Sequence, residues 1–137
     1  MPIEDFSFTN QSKASISDRQ AVLSLSDEKD RESATKVLKK MKYHLLGESQ
    51  DLKEIVELLR KHKRGVYILD YDISSLDTED LITKVKSNCP GFRVILAANT
   101  LSKEQIEHAK SSGIVAFLAK PLSKEAIVKV MSKPLFK

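Results

Sequence analysis

From residue 21 onward, short runs of β-branched and other apolar residues alternate with amphipathic stretches of helical period, and that alternation leaves few folds open. Residues 21–25 read as a buried strand. Residues 30–42 then carry Ala34, Val37, Leu38 and Met41, a stripe that puts one helix face against a core. Residues 43–46 form a second strand. A turn over 47–50 places Ser49 to cap a helix striped with Leu52, Ile55, Val56 and Leu59. Residues 66–69 make a third strand that runs directly into Asp70. A loop to Thr78 leads to a helix with Leu81, Ile82 and Val85 inward. Pro90 and Gly91 punctuate the chain before a fourth strand over 93–98. Ser102 and Gln105 have capping-box spacing for a helix that stops near Gly113. A fifth strand covers 114–119, Lys120 and Pro121 end it, and Ser123 opens a last helix with Ile127, Val130 and Met131 inward.

Five strands alternating with five helices, joined by connections long enough for crossovers, imply an α/β fold whose parallel sheet is covered on both faces. Right-handed crossovers then favour the flavodoxin-like strand order 2-1-3-4-5. The expected organisation is an N-terminal extension over 1–19, flexible or loosely docked, one domain over 20–132, and a C-terminal tail over 133–137. In that tail Pro134, Leu135 and Phe136 either pack back or reach a partner.

The 137 residues suffice for one core, and 41% apolar with 31% charged residues is ordinary for a soluble domain. No apolar run approaches the roughly 20 residues of a membrane span, and residues 1–20 lack the pattern of a secretory signal. One cysteine, Cys89, excludes an internal disulfide framework, so the expectation is a cytoplasmic protein with Cys89 a half-buried bystander. The net charge of +4 raises nucleic acid as a partner. Arg60, Lys61, Lys63 and Arg64, however, sit where a helix C-terminus favours cations, and no aromatic residues interleave the lysines as a stacking platform. They read as solvated surface. His44, His62 and His108 lack metal-ligand spacing; His44 reads as a core residue of a buried strand. With four scattered glycines and no phosphate-cradling loop, no enzyme is expected.

In an open parallel sheet, ligands bind beyond the carboxyl ends of the strands, where strand order reverses. That rule selects Ser26, Asp27 and Glu28 after strand one, Asp70 and Asp72 after strand three, Ala98, Asn99 and Thr100 at strand four, and Lys120 after strand five. Strands one and three are neighbours, so Asp27 and Asp70 are expected to share a pocket with Lys120 opposite. Two such carboxylates repel unless a cation lies between them, and oxygen ligands suit Mg²⁺. Spacing alone fits equally a structural ion pair in which Lys120 neutralises Asp70.

Residues 25–28 (Leu-Ser-Asp-Glu), 68–78 (Ile-Leu-Asp-Tyr-Asp-Ile-Ser-Ser-Leu-Asp-Thr) and 113–121 (Gly-Ile-Val-Ala-Phe-Leu-Ala-Lys-Pro) resemble three segments of the CheY-like receiver domains of two-component response regulators. These are the apolar-Asp-Asp-Glu turn after strand one, the Leu-Asp-x-x-Met-Pro-x-Met-Asp-Gly segment, and the Gly-Ala-x-x-Tyr-Leu-x-Lys-Pro ending. The likeness spans about residues 20–132. It implies that Asp70 is the position that accepts a phosphoryl group from a histidine kinase. It implies too that Asp27, Asp70 and the carbonyl of Asp72 hold Mg²⁺, that Lys120 contacts the phosphoryl oxygens, and that Phe117 belongs to the switch.

The departures shape the expected function. Ser26 stands where the family has its first acid. Counting 22 residues back from Lys120 puts Ala98 at the switch position of the family's Ser/Thr, where it donates no hydrogen bond. Ser74 and Thr78 replace the usual Pro and Gly. A ligand shifts a two-state equilibrium only through interactions that differ between the states, and these changes remove some of them. The resulting expectation is an atypical receiver in bacterial signalling, a protein-interaction module with Mg²⁺ binding weak and phosphorylation at Asp70 weak or absent. Its partners would be a sensor kinase or a downstream protein, not nucleic acid or membrane, and the chain a monomer or weak homodimer. The contact face would draw on Ile106, Phe117, Pro121, Leu122 and Ile127, of which most are expected in the core. A conventional phospho-accepting receiver is the alternative. A flavodoxin-like enzyme or small-ligand domain is the second.

Overall fold

The computed structural model describes residues 19–73 and 78–133. Among these residues the chain forms β1 (Gln20–Ser24), α1 (Glu28–Lys40), β2 (His44–Glu48), α2 (Leu52–His62), β3 (Gly65–Asp70), α3 (Thr78–Asn88), β4 (Phe92–Ala98), α4 (Lys103–Ser111), β5 (Ile114–Ala119) and α5 (Lys124–Met131). The strands make one parallel sheet in the order β2-β1-β3-β4-β5, as the sequence predicts. The expected N-terminal extension, the C-terminal tail and Ser74 lie outside the described residues or almost wholly so.

β3 is buried along its whole length, yet its side chains still sort by parity. Val66 and Ile68 join Ala21, Leu23, Ile95 and Ala97 on the face covered by α1 and α5, against Ala34, Leu38, Ile127 and Met131. Tyr67 and Leu69 join Val22, Val94 and Leu96 on the other face, against Ile55 and Leu59 of α2, Leu81 and Val85 of α3, and Ala109 of α4. Continuing that parity carries Asp70 to the α1/α5 side at the carboxyl end of the sheet.

Tyr67, Ser24 and Ser49 form a short polar chain through this core. The buried Tyr67 hydroxyl donates to Ser24 Oγ at 2.7 Å, and Ser24 Oγ donates to the Ser49 carbonyl at 2.6 Å, tying β1 and β3 to the loop after β2. Burial pushes the Tyr67 phenol far up, so it stays a donor.

Three local expectations change. The cap of α2 is Asp51, whose carboxylate accepts from the Glu54 amide; Ser49 instead accepts from the Asp51 amide and bonds Glu54. His44 is exposed, because it opens the edge strand β2 and not a central one. Cys89 is buried and not half-buried, and burial pushes its thiol up, which disfavours the thiolate. The Ser102–Gln105 capping box and the Ser123 cap form as expected.

Gly65 opens β3 at φ +147°, and a Cβ there would stand 2.5 Å from the Gln20 carbonyl oxygen. Replacing Gly65 by Ala should therefore cost about 2 kcal/mol of unfolding free energy, read by urea denaturation. A loss below a few tenths would show that β1 and β3 part more easily than their register implies.

Candidate functional site

Asp70 ends β3 with no exposure to water. Its Oδ2 accepts three hydrogen bonds: from Lys120 Nζ at 2.8 Å, from Ser26 Oγ at 2.7 Å and from the Ser26 amide at 3.3 Å. Its Oδ1 accepts from the Asp72 amide at 2.9 Å. Ser26 reaches it because β1 is the neighbour of β3 and Ser26 lies just beyond β1. The turn is held by the Leu25 carbonyl, which accepts from Arg31 Nη1 at 3.1 Å and Gln50 Nε2 at 3.2 Å; Arg31 in turn pairs with Glu48 at 2.8 Å. Lys120 follows β5. Its amide donates to the Ala98 carbonyl at 3.0 Å, and its side chain crosses the end of β4 to Asp70.

Burial alone would raise the Asp70 carboxyl. The hydrogen bonds from Lys120, the Asp72 amide and Ser26 outweigh that and leave it below the usual carboxylate range. Burial likewise works against the Lys120 ammonium, and Asp70, with smaller contributions from Asp72 and Asp30, more than restores it, so its pKa is raised. The Lys120 side chain is 10% exposed, so little solvent screens the pair.

The remaining expected site residues fall differently. Asp27 does not turn toward Asp70: it is exposed, and its carboxylate caps α1 by accepting from the Lys29 amide at 2.8 Å. The expected pairing of two carboxylates gives way to one carboxylate, one hydroxyl and one ammonium. A residue just outside a helix in extended geometry satisfies an orphan amide most cheaply, and Asp does that well. Asp72 is exposed and contributes its amide. Ala98 is buried at the end of β4, and Asn99 and Thr100 beyond it are exposed. Phe117 is half-buried and packs with the cluster on the α2–α4 face. Of the expected contact face, Leu122 and Ile127 belong to the core, Ile106 is half-buried and Pro121 is exposed.

Receiver domains commonly bind Mg²⁺ beside the acceptor aspartate. Of the residues expected to hold it, Asp70 ends β3, Asp72 stands exposed beside it, and Asp27 caps α1. Both Asp70 oxygens already face N–H and O–H donors, and Asp27 is turned to its helix. Among the described residues no group of three or more His, Cys, Asp or Glu side chains is placed to hold a metal.

One residue escaped the sequence reading. Asp30, on the first turn of α1, is 1% exposed, and its Oδ1 accepts from the Leu122 amide at 2.9 Å. The signal was available: residue 30 falls four, seven and eight positions before Ala34, Val37 and Leu38, on the apolar stripe itself. A charge on that stripe announces a buried polar contact.

Replacing Lys120 by Met should destabilise the domain by about 3 kcal/mol, because it strands a buried carboxylate; adding Asp70→Asn should return part of that loss. Since the folded pKa of Asp70 is depressed, its share of stability is present above the ordinary value of 3.8 and fades as pH falls through the folded value. Urea midpoints below pH 4 should fall more steeply for the wild type than for Asp70→Asn; parallel curves would remove the pair from the stability of the fold.

Comparison with known proteins agrees with this architecture. The response regulator receiver domain family matches residues 22–132. A transcriptional regulatory protein, PdtaR of Mycobacterium tuberculosis, is 30% identical over 93 residues, covering 68% of this chain and 45% of its own length. The chain thus spans less than half of that relative. Among solved structures, the signal receiver domain of NarL from Mycobacterium tuberculosis superposes with a TM-score of 0.72 at 25% identity, over 82% of this chain and 91% of that one. The chemotaxis protein CheY4 of Vibrio cholerae gives 0.71 at 17% identity, over 82% and 94%, a likeness of fold alone. With most of its length matched, and with the acidic strand end and facing lysine in place, the chain belongs to the response regulator receiver domain family.

Proposed function

We propose that this chain is an atypical receiver, a non-enzymatic signalling module that works through protein contacts and in which Asp70 accepts a phosphoryl group weakly or not at all. The observation that carries the reading is the donor-rich shell of the Asp70 carboxylate, whose Oδ2 takes three hydrogen bonds and Oδ1 one while the group is fully out of solvent. A nucleophilic oxygen must shed donors before it attacks, and each donor withdrawn from a buried carboxylate costs about 1–3 kcal/mol. Ser26 brings a hydroxyl where a second acid would bring charge for a cation, and Ala98 has no hydroxyl to pull its loop toward a phosphoryl group.

The partners would be a sensor kinase or a downstream signalling protein. Pro121, with the exposed Val115 and the half-buried Ile106 and Phe117, offers the accessible part of the surface around β5 and α4. Conventional phosphoryl acceptance is the second reading, favoured by the intact Asp70–Lys120 contact at 2.8 Å.

Beryllofluoride with Mg²⁺ separates the two. We expect the amide resonances of Asp70, Asn99 and Lys120 to shift little and without saturation in the wild type. The Ser26→Asp/Ala98→Thr double variant should gain a saturable response. Near-stoichiometric saturation of the wild type would establish the conventional receiver and overturn the atypical one.

A further inference from the structure

Asp30 presents an unexplained buried acceptor. Its Oδ1 is held by the Leu122 amide, while Oδ2 is buried with no hydrogen-bond partner among the described residues. A buried carboxylate oxygen without a donor is destabilising, so such an atom in the core calls for an account. The deficit is matched by a surplus two residues upstream of Leu122. The Lys120 ammonium carries three N–H donors, and Asp70 Oδ2 takes one of them. Sheet parity and helix packing put both groups on one side of the sheet: Asp70 projects to the α1/α5 face, Asp30 comes from α1, and Lys120 and Leu122 lead into α5. The field of Asp30 is felt at Lys120.

We propose that Asp30 Oδ2 is a second seat for the Lys120 ammonium, taken when Asp70 Oδ2 is blocked or loses its charge. The lysine chain is flexible about its four methylenes, and a swing of its end exchanges one buried carboxylate for another without exposing the charge to a change of solvent. Leu122, buried at 6% exposure and fixed through its amide to Asp30 Oδ1, keeps the backbone of this loop still while the side chain moves. Asp30 is then a positioning residue with two duties on its two oxygens, a tether for the loop and an alternative counter-ion. The consequence for signalling is direct. A lysine with a competing seat at Asp30 is held less firmly by whatever occupies Asp70, so events at Asp70 are passed on more weakly to the β5–α5 loop.

Two measurements on the full chain test this, and neither depends on whether Asp70 is phosphorylated. The first is a crystal structure of Asp70→Asn with Asp30 intact. Lys120 Nζ should lie within hydrogen-bond distance of Asp30 Oδ2; an ammonium turned to solvent, or an ordered water on Oδ2 with Lys120 elsewhere, overturns the proposal. The second is a double-mutant cycle between Asp30→Asn and Lys120→Met, read from urea unfolding in the wild-type and Asp70→Asn backgrounds. Asn keeps an acceptor for the Leu122 amide but removes the charged seat. The coupling between positions 30 and 120 should be at least about fivefold larger in the unfolding constant when Asp70 is Asn. Equal coupling in both backgrounds marks Asp30 as a tether alone and sinks the second seat.

Discussion

A carboxylate sealed from water stays ionised only if protein donors replace the water it has lost, and Asp70 is the point where this domain meets that demand. Lys120, Ser26 and the Asp72 amide supply the replacement from three separate segments, after β5, after β1 and after β3. Each segment must therefore be in register before the charge is tolerable. The sheet order brings them together, and the two-sided core, with α1 and α5 on one face and α2, α3 and α4 on the other, holds them there. The site is in this sense a product of the whole fold, since no two of its contributors are neighbours in sequence except Asp70 and Asp72.

The same arrangement limits the chemistry. In a receiver that responds strongly to phosphorylation, a cation and a switch hydroxyl each interact differently with the two states of the acceptor. Here the Asp70 carboxylate is already paired with one ammonium, with the uncharged Ser26 hydroxyl and backbone amides completing its shell. Asp27 offers its charge to the α1 dipole and the Lys29 amide, and Ala98 has only a methyl group. A carboxylate so paired in its resting state has less to gain from a ligand, and that is the physical content of the atypical role proposed above.

Much of the architecture was readable beforehand because the signals were local and redundant. The β5 run over 114–119, the Ser102 box and the Ser123 cap each combine a pattern with a breaker, and the structure reproduces them. Errors arose where two residues could do one job. Ser49 and Asp51 are both good caps, and only the path of the backbone out of β2 gives the role to Asp51. His44 sits in an apolar stretch that looks central, yet β2 is the edge of the sheet, and edge position is a property of the assembled order and not of the strand.

The site divides along the same line. That Asp70 and Lys120 stand beyond the ends of strands three and five, and that Ser26 and Ala98 replace more usual groups, is written in the chain, because strand ends follow from the run of apolar residues. Which way each side chain turns is not. The helix beginning at Glu28 leaves an amide for Asp27 to satisfy, so Asp27 faces outward and Ser26 takes its place against Asp70. Asp30 stands on the apolar stripe of its helix, which marks it as buried, but only the packing of α5 on α1 shows that its partner is the Leu122 amide. Sequence determined the order and spacing of the groups; only tertiary packing, by fixing which donors each buried oxygen can reach, decided their partners.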